Sequence, residues 1–294
     1  MSSATSTIHP GLELGEVQLK VSNLERSLAF YQHVVGLRIL KREGNRAHLT
    51  ADGHKVLVVL EEVPNASITQ PRTASGLYHF AILVPTRQAL GVVLRRLIDL
   101  GIHIGQADHL VSEALYISDP DYNGIEIYRD RPREDWPRDK DGQIRMATDP
   151  IDWEGLLQEA AGSSSETAAL PPDTKIGHMH FHVSDIAESG RFYCDVLGFE
   201  LIGNYMRQMG ALFVSAGGYH HHIGLNVWAG AGTPMPPANG TGIGYYTIVM
   251  PDEAELKKLL DRIGRAGIAV REHDQAWFVT DPTGIEIKLI ASQK

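Results

Sequence analysis

Residues 15–37 read Gly-Glu-Val-Gln-Leu-Lys-Val-Ser-Asn-Leu-Glu-Arg-Ser-Leu-Ala-Phe-Tyr-Gln-His-Val-Val-Gly-Leu, and residues 177–199 read Gly-His-Met-His-Phe-His-Val-Ser-Asp-Ile-Ala-Glu-Ser-Gly-Arg-Phe-Tyr-Cys-Asp-Val-Leu-Gly-Phe. Val21 matches Val183, Tyr31 matches Tyr193 and Gly36 matches Gly198, each pair 162 positions apart. A constant offset of this kind marks an internal duplication, so the chain divides into two related halves. Each copy opens on alternation: Val17, Leu19 and Val21 face one way, Glu16, Gln18 and Lys20 the other, as in a half-buried strand. Ser22-Asn23 and Ser184-Asp185 then offer a helix N-cap, whose side-chain oxygen satisfies a free backbone N–H of the first turn. Leu24, Leu28 and Tyr31 recur at helical spacing, and Gly36 and Gly198 follow where a left-handed cap favours glycine.

Three short strands are expected next, over Arg38–Lys41, Arg46–Thr50 and Val56–Glu61, making each unit β-α-β-β-β. A second unit completes the first half, with strands at His79–Val84, His109–Ser118 and Ile125–Arg129 around an amphipathic helix, Thr86–Leu100. The second half repeats the plan with Tyr245–Val249, Asp252–Gly264, Ile268–Arg271, Ala276–Thr280 and Ile285–Ile290. Pro132–Gly142, Gly162–Thr174 and Gly230–Gly242 read as connections, and the Ser- and Ala-rich 162–174 run is the expected interdomain link. The run Arg129–Asp141 reads as a solvated linker. The expected division is a first domain over 8–130, a linker over 131–174 and a second domain over 175–292.

With 294 residues, 43% apolar and 21% charged, the chain suits a globular protein of two ordinary domains. A net charge of -9 argues against a nucleic-acid surface. The single cysteine, Cys194, excludes a disulfide framework and a cysteine-based zinc site, and its helical position reads as core. Met1–Pro10 shows no basic patch followed by an apolar run, and no apolar run is long enough to span a membrane, so a cytoplasmic protein is expected.

Four β-α-β-β-β units with these strand openings, and with the segments Leu-Glu-Arg-Ser-Leu-Ala-Phe-Tyr and Asp-Pro-…-Gly-Ile-Glu-Ile, resemble the vicinal oxygen chelate superfamily. That superfamily includes extradiol dioxygenases, glyoxalase I and bleomycin-resistance proteins. His109-Leu-Val-Ser-Glu-Ala-Leu-Tyr116 and Tyr219-His-His-His-Ile-Gly-Leu-Asn226 bring the likeness nearest to two-domain catechol 2,3-dioxygenase-like proteins. The resemblance implies an α+β fold: four units paired into two domains, each a curled mixed sheet with helices outside.

It also implies metal ligands from the first strand of one unit and from the first and last strands of its partner. In the first half these positions hold Glu16, His79 and Glu126; in the second they hold His178, Tyr245 and either Glu286 or Lys288. The first half is favoured, because one imidazole and two carboxylates suit a hard divalent ion whereas a phenol with a reference pKa near ~10 ligates poorly. His54, His109 and Tyr116 match the family's proton-handling groups, while Phe278 stands where the second half would need the tyrosine. Against this, His178, His180 and His182 share one strand face and His220-His221-His222 lie nearby, so an alternative second-domain site would comprise His178, His180, His221, Tyr245 and Glu286.

The expected reaction is cleavage of a catechol-type diol by O₂ at Fe(II) or Mn(II), as in aromatic hydrocarbon catabolism. The rival expectations are a glyoxalase- or epimerase-like lyase or isomerase with Zn(II) or Ni(II), and a non-catalytic binding protein of the resistance type. Partners would be a small aromatic molecule and O₂, with no nucleic acid and no membrane. Units of this fold also pair across chains, so a homo-oligomer is among the expectations.

Overall fold

The computed structural model describes residues 7–162 and 169–292. The first unit comprises β1 (Glu13–Val21), α1 (Leu24–Phe30), β2 (Arg38–Glu43), β3 (Arg46–Thr50) and β4 (Val56–Glu62). The second comprises β5 (Gly76–Leu83), α2 (Arg87–Asp99), β6 (Gly105–Asp108), β7 (Ser112–Ser118) and β8 (Gly124–Asp130). After α3 (Trp153–Glu159), the third unit runs through β9 (Lys175–His182), α4 (Ile186–Arg191), β10 (Glu200–Tyr205), α5 (Met206–Met209), β11 (Ala211–Ser215) and β12 (Ile223–Asn226). The fourth holds β13 (Gly242–Met250), α6 (Glu253–Arg265), β14 (Arg271–His273), β15 (Ala276–Thr280) and β16 (Glu286–Ala291). Residues 163–168 of the expected interdomain link lie outside the described residues.

The expected caps form. Asn23 accepts the Arg26 N–H, Asp185 accepts those of Ala187 and Glu188, and Gly36 takes φ +93°. One expected strand is interrupted: His109–Ser118 begins in a hairpin turn, with Leu110 at φ +69°, and only Ser112–Ser118 is strand. The repeat extends to tertiary detail. Tyr31 donates to Asp119 and Tyr193 to Asp281, each at the turn before the last strand of a different unit.

Two eight-stranded sheets result, in the orders β14-β15-β16-β13-β1-β4-β3-β2 and β10-β11-β12-β9-β5-β8-β7-β6. Each sheet therefore joins one unit from either half, through antiparallel seams β1–β13 and β5–β9. The 131–174 boundary separates the repeats but not the sheets, and this cross-pairing corrects the assumption that the units of one half share a site. Outward-facing residues such as Phe80, Ile82, Ile125 and Ile127 pack with Leu90, Leu94 and Leu97 of α2 in one continuous core. Burying that face leaves the opposite faces of the same strands free to line a cavity.

Candidate metal centre

The β5–β9 seam sets the geometry. Ala81 of β5 stands in register with Glu126 of parallel β8 on one side and with His178 of antiparallel β9 on the other. His79, two residues before Ala81, shares its face. The small Ala81 side chain leaves the space above it to the three larger neighbours. His178 Nε2 lies 3.0 Å and His79 Nε2 3.1 Å from Glu126 Oε2. One donor atom from each residue falls within 4.8 Å of the others, and all three side chains are buried.

This donor set fits a divalent ion. Nitrogen and oxygen ligands about 2.0–2.2 Å from a metal, at right angles to one another, lie about 3 Å apart. His79 Nε2 is buried and, although 3.1 Å from the carboxylate, is not aligned to hydrogen-bond it. The protonation states also suit ligation. Burial alone would raise the Glu126 pKa, yet the His178 and His79 rings overcome this and hold the carboxyl well below its ordinary value. Burial lowers His178 and keeps its imidazole neutral, and ligation needs this combination of carboxylate and neutral imidazole.

The neighbouring hydrogen bonds fix proton positions. His109 Nδ1 lies 2.7 Å from the Ala147 carbonyl, so that nitrogen carries the hydrogen; Nε2 is then the acceptor for the Tyr116 hydroxyl 2.7 Å away. Burial, reinforced by Glu126, raises the Tyr116 pKa well above 10 and keeps the phenol protonated. A second chain runs from Asp130 Oδ1 to His220 Nε2 (3.0 Å) and from His220 Nδ1 to His221 Nδ1 (2.9 Å). The carboxylate accepts the His220 Nε2–H, so His220 Nδ1 accepts from His221 Nδ1–H and the His221 Nε2 carries a bare lone pair. The His221 ring lies 4.2 Å from that of His178, and burial holds its pKa well below the ordinary value.

The seam also carries a bulge. The register slips between Leu77 and His79, which brings the Tyr78 ring to 4.9 Å from both His79 and His182. Gly124 is required where β8 passes this bulge, because a Cβ there would overlap the Tyr78 carbonyl. A cavity of about 600 Å³ opens here, lined by Tyr78, His79, Tyr116 and His182 among others.

The sequence-derived residues thus sort differently from expectation. His79, Glu126, His109 and Tyr116 come together, and they are joined by His178 and His221 from the alternative set. Glu16 is not with them. It lies in the other sheet, where it accepts the Tyr245 hydroxyl (2.7 Å) and the Lys288 ammonium (2.8 Å). Thr247, the counterpart of Ala81, is in register with Lys288, so Lys288 rather than Glu286 takes the third position. Glu286 pairs with Arg271 instead, and burial beside Glu16 pushes the Tyr245 pKa up, away from a ligating phenolate. His54 is exposed on the β3–β4 turn of that other sheet. His180 is buried beside His79, ring centroids 5.0 Å apart, with Nε2 unpartnered, but it stands outside the ligand cluster. Sequence reading missed Asp130 and noted His220 only as a member of the nearby histidine run. The run Arg129–Asp141 is accordingly more than a solvated linker: it supplies Asp130 and the buried Trp136.

Comparison with known proteins agrees with this architecture. The family model of the Glyoxalase/Bleomycin resistance protein/Dioxygenase superfamily matches residues 13–127 and 175–289. A catechol-2,3-dioxygenase of Bacillus subtilis (strain 168) is 53% identical over 277 residues, covering 94% of this chain and 96% of that protein. The crystal structure of a putative dioxygenase from Bacillus subtilis superposes with a TM-score of 0.67 at 14% identity, covering 98% of this chain and 87% of that one. Glyoxalase I from Zea mays superposes with a TM-score of 0.55 at 14% identity, covering 95% and 92%. Among the described residues, no helix is long and apolar enough to cross a membrane. The chain belongs to the Glyoxalase/Bleomycin resistance protein/Dioxygenase superfamily and is a catechol-2,3-dioxygenase-like oxidoreductase.

Proposed function

We propose that this enzyme is an extradiol ring-cleaving dioxygenase acting on a catechol-type diol, with Fe(II) or Mn(II) held by His79, Glu126 and His178. The observation that carries the reading is the convergence of two buried imidazoles and one carboxylate beside two separate hydrogen-bonded chains. A bound divalent ion supplies charge to acidify a diol hydroxyl and open positions for two further oxygen ligands. The protein's own residues supply the rest. His221, with its Nε2 lone pair uncommitted, accepts a proton from the diol, and His220 and Asp130 hold its ring in the required tautomer. Tyr116 directs its hydrogen toward His109 Nε2. Protonation of His109 reverses that bond, so that the Tyr116 hydrogen is offered to the cavity. The walls exclude water from this exchange, since His79, His178 and Glu126 are all buried.

The experiment is oxygen uptake by protein loaded anaerobically with Fe(II) or Mn(II) and given catechol. One O₂ consumed per diol, with both oxygen atoms recovered in a ring-opened product, supports the proposal. Metal binding without oxygen uptake on any catechol, together with isomerisation of a hemithioacetal, would replace it with lyase chemistry.

A further inference from the structure

The cavity that reaches His79 carries cationic charge that the dioxygenase reading does not use. Arg72 and Lys20 both line it, and neither makes a hydrogen bond or ion pair among the described residues. Among the described residues, the only carboxylate in the lining is Asp121, which is already engaged by the Ser22 N–H (2.7 Å), the Ser22 hydroxyl (2.6 Å) and Arg26 (2.5 Å). Glu61 acts electrostatically on Lys20, so the uncommitted charge of the lining is that of Arg72, an exposed residue.

Arg72 is also held in an unusual backbone state. In the turn Gln70-Pro71-Arg72-Thr73, closed by the Thr73 N–H (3.2 Å) and hydroxyl (2.8 Å) on the Gln70 carbonyl, Arg72 takes φ +59°. Turns of this kind favour glycine or asparagine at the third position, yet here it holds a long cation. The loop is pinned on both sides. Thr69 donates its N–H to the Thr241 hydroxyl (2.9 Å) and its hydroxyl to the Thr241 carbonyl (2.7 Å), and the Ser75 N–H donates to the Pro234 carbonyl (2.9 Å). The guanidinium acts electrostatically on Tyr78 and His182, the rings that flank His79. Met235, Pro236 and Ile243 supply apolar wall in the same cavity.

We infer that Arg72 is a specificity-determining residue that binds a carboxylate carried on the diol substrate, at the ring edge away from the two hydroxyls. This assignment rests on the dioxygenase reading for the placement of the hydroxyls at His79. An arginine fork matches a carboxylate in two parallel hydrogen bonds, and no protein group competes for it.

The test compares 3,4-dihydroxyphenylacetate with its methyl ester, which has the same ring and nearly the same length without the charge. With Fe(II)-loaded enzyme, kcat/KM should favour the acid by about tenfold or more. Arg72→Gln should collapse that ratio toward one through the KM of the acid, with the ester changed less than about threefold. Arg72→Lys should keep part of the preference, and Arg72→Glu should reverse it. Anaerobic calorimetric titration with the same two compounds reads binding without turnover. An acid preference in binding that Arg72→Gln removes, without cleavage of either compound, upholds the anion site and removes the dioxygenase reading. Cleavage of both compounds at equal efficiency, or an acid preference that survives Arg72→Gln, overturns the assignment.

Discussion

Replacing His178 by alanine and, separately, Glu16 by glutamine distinguishes a site that crosses the halves from one confined to the first half. His178 contributes one of three donors that lie within 4.8 Å of one another, so His178→Ala leaves two donors and should abolish stable binding. A metal present at one hundred times its Kd stabilises the native chain by about 2.7 kcal/mol. For a chain of 294 residues, that corresponds to a rise of about 4–5 °C in Tm. The wild type should show that rise on loading with Fe(II) or Mn(II), and His178→Ala should show none. Glu16→Gln should behave oppositely. It removes the charge that Tyr245 and Lys288 share while both Glu16 and Lys288 are about four-fifths buried, with side-chain exposures of 18% and 22%. The loss should be about 1–3 kcal/mol in the metal-free protein, yet the metal-dependent rise should persist in full. Melting curves with and without metal, paired with elemental analysis per chain, read both quantities. A metal retained by His178→Ala at one per chain, or lost from Glu16→Gln, refutes the placement of the site on the β5–β9 seam.

Three further outcomes follow from the same geometry. Tyr116→Phe removes the hydroxyl bonded to His109 and should keep the metal while lowering kcat about 10²- to 10⁴-fold, read by oxygen uptake beside metal analysis. Gly177→Ala would place a Cβ against the Tyr128 hydroxyl, break its 2.6 Å bond to Tyr219 and lower the urea midpoint clearly. Burial holds His222 down to about 3, with Nδ1 accepting from Ala216 N–H (3.2 Å) and paired with the Ser215 hydroxyl (2.8 Å). Its folded pKa is depressed below the unfolded value of ~6.5, so its stabilising contribution is complete above that pH and is lost as the pH falls toward 3. Urea titrations at pH 6.5 and 5.5 should show a decline that His222→Gln reduces by about 1 kcal/mol.

The strands, helices and caps were legible because they depend on local periodicity and on residues such as Asn23, Asp185 and Gly36. The resemblance to the superfamily implied the ligand rule: first strand, partner's first strand, partner's last strand. The identity of the partner was not legible. The 162-residue offset states that units 1 and 3 are alike, and units 2 and 4 likewise, but likeness does not say which unit lies beside which. Applied to units 3 and 2, the rule yields His178, His79 and Glu126. Applied to units 1 and 2, it yields Glu16, because β1 was assumed to flank β5 when it flanks β13. Alternation along β9 does place His178, His180 and His182 on one face, yet it cannot show that only His178 lies beside Ala81. The hydrogen bond between Asp130 and His220 was hidden for a similar reason, since the two are 90 residues apart in the chain.

The two sheets show how one scaffold settles the same three positions in opposite ways. Around Ala81, two imidazoles and a carboxylate converge with no lysine or arginine in the cluster, and among the described residues His79 Nε2 has no hydrogen-bond partner. Around Thr247, Lys288 provides an ammonium 2.8 Å from Glu16, and the Tyr245 hydroxyl completes the carboxylate's contacts at 2.7 Å. The second cluster is electrically closed: its cation is covalently part of the chain, with its nitrogen 5.4 Å from the Tyr245 ring centroid. A metal entering there would have to displace a protein charge. The first cluster has no such charge to displace. The difference rests on all three positions, with Glu16 in place of His178, Tyr245 in place of His79 and Lys288 in place of Glu126, so that an ion pair stands where the other sheet gathers two imidazoles and a carboxylate.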